Sequence, residues 1–211
     1  MINSIFPVQY LKTKYPGDVE TVKTYIKDML ENNYDSLSTI SSSLYTGQSA
    51  TTFVTGKSLQ YDPELTDLTS WIKTQCQKFS VALDYEPGHY QNKIMMMWAN
   101  YSKKGSHIIT HRHSPAFIAF VYYADKRPGQ GNFYFVNPLT PILEYQPYKT
   151  FRNREREREY KENQQAPPLS SLINEVETET GDLVIFPAWL DHSAYPNTLD
   201  DPRIVIAGQL I

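Results

Sequence analysis

Short apolar runs separated by turn residues fill the chain from about residue 91 onward, and this pattern restricts the fold more than any other. The six runs are 93–101, 107–113, 116–124, 131–136, 182–186 and 203–211. Many short strands at regular spacing after a helical start are typical of a β-sandwich or barrel with helices packed outside. The sequence therefore predicts a mainly β fold with flanking α-helices.

The first 90 residues have helical periodicity instead. Apolar residues recur at helical spacing over 18–30, with Asp18 as a candidate N-cap, and a second helix is predicted to start at Asp62-Pro63. The Ser- and Thr-rich segment 35–53 between them is predicted to be loop with some strand. The length suits one domain over 1–211, in which 1–90 packs as helices and loops on a β core at 91–211.

A long insertion at 139–178 interrupts the β pattern. It contains several prolines and the charge run RNREREREYKE, and such a composition cannot build a packed core. Long loops in compact domains are usually either functional or disordered. We predict a mobile substrate lid here, and a merely disordered insertion is the alternative.

Two histidines two residues apart, His111 and His113, occur in the second β run. Side chains at i and i+2 of a strand share one face, so both rings could reach one ion at about 2.0–2.1 Å. His192 follows a later apolar run, and Arg203 begins the last one. We predict that His111, His113 and His192 bind one divalent metal, although a solvated strand face also explains the pair. By strand spacing, His107 lies about 13 Å from His111, too far to join them.

Composition excludes some other classes of protein. The net charge of -3 gives no strong nucleic-acid signal, and the only cysteine, Cys76, excludes an internal disulfide. No run approaches the roughly 18 apolar residues of a membrane span, and the N-terminus lacks the basic and apolar regions of a signal peptide. The expectation is a soluble, cytoplasmic protein without membrane partners.

Two stretches carry a resemblance to a known family: WANYSKKGSHIITHRHSPAFIAFVYYADK and GDLVIFPAWLDHSAYPNTLDDPRIVIA. Together they resemble the small 2-oxoglutarate- and iron(II)-dependent oxygenases of bacteria and phages, in the superfamily of prolyl hydroxylases and alkylated-base demethylases. The resemblance covers roughly 93–137 and 180–210. It implies a double-stranded β-helix, or jelly roll, for 91–211. It also implies Fe(II) and 2-oxoglutarate as cofactors, with His111, His192 and Arg203 as site residues by position.

The chain departs from the family pattern at position 113, where a carboxylate is usual and His113 stands. Two histidines and one carboxylate form the usual facial triad of non-haem iron oxygenases. Some small bacterial and phage members are similar to this chain in carrying His-x-His, so three histidines are one expectation. A carboxylate such as Asp191 in place of His113 is another, and zinc or a lost activity are further alternatives.

The cosubstrate residues follow from the same resemblance. Arg203 is the family-matched partner for the distal carboxylate of 2-oxoglutarate, a task that suits its bidentate fork. Tyr123 resembles a tyrosine of prolyl hydroxylases that bonds the same carboxylate, and strand parity favours it over Tyr122. Asn100 resembles a cosubstrate-binding asparagine of the demethylases.

The reaction implied is hydroxylation of an unactivated C–H bond, coupled to decarboxylation of 2-oxoglutarate to succinate. The primary substrate is left open among a peptidyl residue, a nucleobase and a small metabolite. Two alternatives also stay open. One is a cupin-like dioxygenase with three histidines that does not use 2-oxoglutarate. The other is a catalytically silent jelly-roll module that binds metal.

Overall fold

The computed structural model describes residues 8–38, 44–56, 58–85, 90–139 and 172–211. Within these ranges the helices are α1 (Val19–Asn32), α2 (Tyr34–Ser38) and α3 (Thr66–Ala82). The strands are β1 (Leu11–Lys14), β2 (Tyr45–Thr46), β3 (Ser49–Thr51), β4 (Ile94–Ser102), β5 (His107–Ile108), β6 (Ile118–Asp125), β7 (Phe133–Val136), β8 (Ile173–Val176), β9 (Asp182–Pro187), β10 (His192–Ala194) and β11 (Arg203–Leu210).

Antiparallel sheets dominate the architecture. A six-stranded sheet has the order β1-β9-β6-β11-β4-β3, a three-stranded sheet has the order β10-β7-β8, and β2 pairs with β5. A bridge between His111 and His192 joins the segment after β5 to the three-stranded sheet. Side chains of β6, β9 and β7 meet in one apolar cluster, so the two larger sheets face each other as in a jelly roll. The prediction of a mainly β fold with flanking helices is confirmed.

The large sheet is buried on both faces, and β6 shows how its sequence achieves this. Ile118, Phe120 and Tyr122 join a core shared with the three helices. Ala119 and Tyr123, the intervening residues, join the core shared with the small sheet. Since successive side chains of a strand point to opposite faces, both sets must be apolar or well packed. The helices therefore cover one face of the sheet and leave the other for the site.

The helix start predicted at Asp18 is confirmed, whereas the α-helix predicted from Pro63 begins three residues later, at Thr66. The Asp18 side chain accepts a hydrogen bond from the Thr21 backbone N–H at 3.0 Å and caps α1. Asp62 accepts from the Glu64 backbone N–H at the start of a 3-10 turn, Pro63–Leu65, that leads into α3. Its other carboxylate oxygen accepts from the Tyr25 hydroxyl at 2.6 Å, which ties α1 to the start of α3. Among the helices described, none is long and apolar enough to cross a membrane.

The strand predicted at 107–113 is much shorter in the structure. Only His107–Ile108 forms a strand, and His111 makes an isolated bridge, while His113 lies outside any strand. The Ile109 backbone N–H donates to the Leu44 carbonyl and the His113 N–H donates to the Ala188 carbonyl. The backbone of this segment therefore changes its hydrogen-bonding partner along its length. As a result, the alternation of side chains in a regular strand does not extend across it.

The insertion predicted at 139–178 is also shorter than expected at its C-terminal end. Its last described residues include β8, which pairs with β7 along its whole length and so belongs to the small sheet. The rest of the predicted lid, 140–171, lies outside the described residues. Strand β1 is a further element without a sequence prediction; it is a short edge strand that pairs only with β9.

Candidate metal centre and active site

Three histidines from two distant segments of the chain come together between the sheets. His111 and His192 exchange two backbone hydrogen bonds, at 3.1 and 3.0 Å, and His113 is fixed by its bond to the Ala188 carbonyl. The ring centroids are 4.4 Å apart for 111–192, 5.0 Å for 111–113 and 5.1 Å for 113–192. One nitrogen of each ring lies within 4.8 Å of the others, so small ring rotations would let all three contact one ion.

Backbone carbonyls orient two of these rings. Nδ1 of His111 lies 2.8 Å from the Ile109 carbonyl oxygen, and Nδ1 of His192 lies 2.9 Å from that of Leu190. A carbonyl oxygen can only accept, so the proton of each neutral ring sits on Nδ1 and the lone pair on Nε2. This arrangement prepares a histidine for metal ligation, because the second nitrogen fixes both tautomer and direction.

The local environment keeps the three rings neutral. Burial lowers the pKa of His192 well below its usual value, and the nearby rings of His111 and His113 lower it further. Burial, together with His111, lowers the pKa of His113 to about 4. Neutral imidazole is the form that binds a metal, so these shifts favour ligation at physiological pH.

The alternative ligand at position 191 has a different partner. One carboxylate oxygen of Asp191 lies 3.0 Å from Nε of Arg112, in an exposed ion pair. His107 contacts the Thr46 hydroxyl at 2.8 Å in the β2–β5 pair and is not part of the histidine group. Among the described residues the structure therefore brings together the three-histidine set and not the version with a carboxylate.

The wall opposite the histidines comes from three adjacent strands in register. Val205 of β11 pairs with Asn100 of β4 on one side and with Tyr123 of β6 on the other. Arg203 lies two residues before Val205 and pairs with Ser102. Directly paired residues of an antiparallel sheet share a face, and all five side chains line one pocket with the three histidines. The structure therefore brings every predicted site residue into a single pocket.

Arg203 lies at the end of this wall and is only 4% exposed. Its Nη1 donates to three backbone carbonyls, those of Gln130 at 2.6 Å, Tyr195 at 2.8 Å and Gly131 at 3.0 Å. Nε and Nη2 have no hydrogen-bond partner among the described residues. A buried guanidinium with these two donors unused fits a carboxylate in bidentate geometry.

Tyr123 offers a further donor in the same place. Its side chain is 1% exposed, and its hydroxyl makes no hydrogen bond of ordinary geometry with a described group, although the equally unpaired Thr178 hydroxyl is close by. Burial raises the pKa of Tyr123 to about 12, so the phenol keeps its proton. A buried hydroxyl without a partner is costly, and a bound carboxylate would satisfy it. Tyr122 points to the helices instead, as the strand parity predicted.

Three further site residues had no sequence signal. Tyr45 of β2 and Thr51 of β3 both donate to Oδ1 of Asn100, at 2.8 and 2.6 Å. They come from the Ser- and Thr-rich segment that was predicted to be loop with some strand, and the strand part of that prediction is confirmed by β2 and β3. Lys126, just after β6, is buried, and its Nζ donates to the Thr178 carbonyl and to the Asn132 side chain. An isolated lysine or hydroxyl in the sequence does not indicate such a position.

Comparison with known proteins identifies the family to which this fold belongs. The family model for 2OG-Fe(II) oxygenases matches residues 96–208, more than half of the chain. No curated protein sequence matches it. A prolyl-4-hydroxylase from Pseudomonas putida is similar in structure, with a TM-score of 0.57 and 10% identity over 96% of this chain and 92% of that chain.

Two other similar structures show the same fold. HygX from Streptomyces hygroscopicus, solved with nickel, 2-oxoglutarate and hygromycin B, gives a TM-score of 0.51 and 12% identity over 95% of this chain and 82% of its own. A prolyl hydroxylase from Trichoplax adhaerens, in complex with a peptide fragment of the hypoxia inducible factor oxygen degradation domain, gives 0.51 and 11% identity over 95% and 83%. At these identities the likeness shows the jelly-roll fold.

A jelly roll that gathers three histidines opposite a buried arginine fits the class of non-haem metal enzymes, because imidazole is a ligand that suits iron. The match over 96–208 shows that the chain belongs to the 2OG-Fe(II) oxygenase family. It is an enzyme whose cofactors are Fe(II) and 2-oxoglutarate. Membership decides against the two alternatives, a cupin-like dioxygenase without 2-oxoglutarate and a silent metal-binding module.

Proposed function

We propose that His111, His113 and His192 are the iron ligands, and that Arg203 and Tyr123 bind the distal carboxylate of 2-oxoglutarate. The observation that carries this assignment is that one pocket has possible metal ligands at one end and a possible carboxylate partner at the other. Three neutral imidazoles, two of which have Nδ1 bound to a carbonyl and Nε2 free, form one end, and a buried guanidinium with two unused donors forms the other.

The spacing of the two ends suits the cosubstrate. Trp98 pairs with Ala207 on β11, and the Trp98 ring lies 5.8 Å from the His113 ring, so the metal end is level with Ala207. Arg203 precedes Ala207 by four residues, which is about 13 Å along a strand. The long arginine side chain covers part of that span, and the remainder accommodates an extended five-carbon dicarboxylate with metal at its other end.

We propose hydroxylation of an unactivated C–H bond, in which substrate, oxygen and 2-oxoglutarate give hydroxylated product, succinate and carbon dioxide. Bound iron(II) supplies oxygen activation to this reaction. The chain contributes the ligand geometry, the clamp on the cosubstrate and a largely apolar pocket. Val121, Phe133, Val205 and Ala207 line the pocket between its two ends and exclude water from it.

Two exposed aromatic side chains on segments that adjoin the pocket favour a substrate with an apolar surface. Phe53 is 41% exposed and packs against Trp98, with ring centroids 5.0 Å apart. Trp189 is 50% exposed and lies between Ala188 and Leu190, whose carbonyls hold His113 and His192. Such rings suit a peptidyl side chain or a ring-bearing small metabolite. The net charge of -3 gives no support for a nucleic-acid substrate.

The test of this function is cosubstrate turnover. Purified protein with Fe(II), 2-oxoglutarate and oxygen should form succinate slowly, and candidate peptides or metabolites that are substrates should accelerate it with one hydroxylated product per succinate. Anaerobic addition of 2-oxoglutarate should produce the visible charge-transfer band of the iron complex. A protein that binds Fe(II) but gives neither the band nor succinate would contradict the proposal.

A further inference from the structure

The amide of Asn100 is held through its oxygen by two hydroxyl groups, those of Thr51 behind the pocket wall and of Tyr45, which lines the pocket beside Asn100. Thr51 donates to Oδ1 at 2.6 Å in a buried contact, and Tyr45 donates to the same oxygen at 2.8 Å. Nδ2 has no hydrogen-bond partner among the described residues, and Asn100 lines the pocket. A carbonyl oxygen has two lone pairs, so the two hydroxyls use its full accepting capacity.

A further donor decides which way this amide faces. The Phe53 backbone N–H donates to the Thr51 hydroxyl oxygen at 3.2 Å. The Thr51 hydroxyl therefore already accepts one hydrogen and has its own to give, and Oδ1 of Asn100 accepts the hydrogens of both hydroxyls. If the amide were reversed, its NH2 group would compete for the same two oxygens. The hydroxyl groups of Thr51 and Tyr45 would then have more hydrogens to donate than the buried cluster has acceptors. A buried donor without an acceptor is costly in free energy.

We propose that Thr51 and Tyr45 are positioning residues that lock Asn100 with its NH2 group toward the 2-oxoglutarate pocket. The inference rests on the proposed function and deepens it. Asn100 pairs with Val205, midway between the arginine end and the level of Trp98 near the metal. Its NH2 then meets the middle or metal-proximal oxygens of 2-oxoglutarate, which can only accept. Asn100, Arg203 and Tyr123 then all face the pocket with hydrogen-bond donors. The oxygens of 2-oxoglutarate can only accept, so the wall and the ligand are complementary.

This arrangement gives the N-terminal segment a functional role. Thr51 reaches Asn100 because β3 pairs with β4 in the register Thr51↔Asn100, and Tyr45 reaches it from the β2–β5 pair. Segment 44–56 therefore supports the cosubstrate wall, with Thr51 behind it and Tyr45 at the pocket itself. A hydroxyl at positions 45 and 51 is the chemical requirement, because each position donates a hydrogen to Oδ1 of Asn100.

The experiment measures 2-oxoglutarate affinity by calorimetry on the full chain loaded with Mn(II), which prevents turnover. Thr51→Val and the double variant Thr51→Val/Tyr45→Phe should raise the dissociation constant, the double variant about tenfold, because the amide loses its fixed direction. Thr51→Ser keeps the hydroxyl and should bind like the wild type. In turnover, the KM for 2-oxoglutarate should rise while kcat at saturation stays close to that of the wild type.

Thr52→Val is the matched control for the loss of a buried threonine hydroxyl. Thr52 accepts from the Ala99 backbone N–H, one residue from the network, and does not bond to Asn100. This variant should lower the melting temperature without changing 2-oxoglutarate affinity. The Mn(II) affinity is measured on every variant, and a wild-type value shows that the metal-binding end of the pocket has folded. If the double variant does not bind Mn(II), the 2-oxoglutarate affinity of Thr51→Val alone tests the inference.

Asn100→Asp tests the direction of the amide itself. The two hydroxyls would hold one carboxylate oxygen, and the other would face the acidic ligand, so binding should weaken by about two orders of magnitude. Wild-type affinity in Thr51→Val, in the double variant or in Asn100→Asp would overturn the inference. Failure of the wild-type protein itself to bind 2-oxoglutarate would instead contradict the proposed function.

Discussion

Arg203 and Gly131 are in direct contact, and the conformation of the glycine determines where the guanidinium points. Nη1 of Arg203 donates to the Gly131 carbonyl at 3.0 Å and to the Tyr195 carbonyl at 2.8 Å. Gly131 has a φ of +72°, and a Cβ at this position would lie 2.1 Å from the Tyr195 carbonyl oxygen. Only glycine therefore lets these two backbone segments converge on one guanidinium nitrogen.

Gly131→Ala should destabilise the protein and weaken cosubstrate binding together. The positive φ alone costs about 1–2 kcal/mol for an L-residue, and the clash with backbone adds to it. We expect a loss of at least about 2 kcal/mol in the free energy of unfolding. Urea denaturation and 2-oxoglutarate calorimetry measure the two effects.

Gly105→Ala is the control for that variant. Gly105 has a φ of +81°, but a Cβ there meets nothing within 4 Å. It should cost only about 1–2 kcal/mol in stability and leave 2-oxoglutarate affinity unchanged. Equal losses of stability and affinity in both variants would show that the contact with Arg203 is not what Gly131 provides.

His192→Ala should abolish stoichiometric binding of iron or manganese. His192 carries one of the two rings whose Nδ1 is fixed by a carbonyl, and its removal leaves two of the three proposed ligands. Metal analysis after dialysis measures the stoichiometry, and circular dichroism shows that the fold persists. His107→Ala is the matched control, because His107 contacts Thr46 outside the group. Full metal retention by His192→Ala would exclude this ligand set.

Arg203→Leu should weaken 2-oxoglutarate binding by one to three orders of magnitude. The distal carboxylate would then be buried without a cation, which costs about 2–5 kcal/mol, at about 1.4 kcal/mol per decade of affinity. Titration of the iron charge-transfer band measures the change. Arg127→Leu removes an exposed arginine that pairs with Asp201 and should leave the titration unchanged. An unaltered titration curve for Arg203→Leu would reject the assignment of this residue.

Lys126→Met should also weaken 2-oxoglutarate binding, through the field of a second buried cation. Nζ of Lys126 donates to neutral oxygens, at 2.6 Å to the Thr178 carbonyl and at 2.9 Å to Asn132, and no described carboxylate forms an ion pair with it. Burial, followed by the charge of Arg203, lowers the pKa of Lys126. An anion bound at Arg203 relieves this repulsion, so the dissociation constant should rise by roughly threefold to tenfold in the variant.

Salt dependence separates this effect from surface electrostatics. A buried field is weakly screened, so the loss in Lys126→Met should persist at about 0.5 M salt. Lys104→Met removes an exposed lysine paired with Asp200 and should have no effect at either salt concentration. A loss that disappears at high salt would mean that Lys126 acts only through the net charge of the protein.

The sequence predicted well those elements whose signal is local. Asp18 and the apolar spacing after it located α1, and Asp62-Pro63 located the turn into α3, because caps and helical periodicity act within one or two turns. The strand parity of β6 correctly separated Tyr123 from Tyr122. These features require no knowledge of what packs against them.

Predictions that depended on distant partners failed or had no signal. The strand expected at 107–113 stops at Ile108, since Leu44, His192 and Ala188 each take part of its backbone hydrogen bonding. Strand β8 appeared within the predicted insertion because β7 pairs with it. The hydroxyls that hold Asn100 could not be found from spacing, since they reach it from other strands.

The sequence by itself determined the class of this protein: an ordered set of histidines and an arginine among short apolar strands, which indicated a jelly-roll oxygenase. Tertiary structure alone decided how those residues become a site. Antiparallel register sets Arg203, Tyr123 and Asn100 on one wall, and the bridge between His111 and His192 joins two proposed ligands that are eighty-one residues apart. Local propensity encodes the elements, whereas register and bridging depend on hydrogen bonds between segments far apart in the chain, which no local pattern specifies.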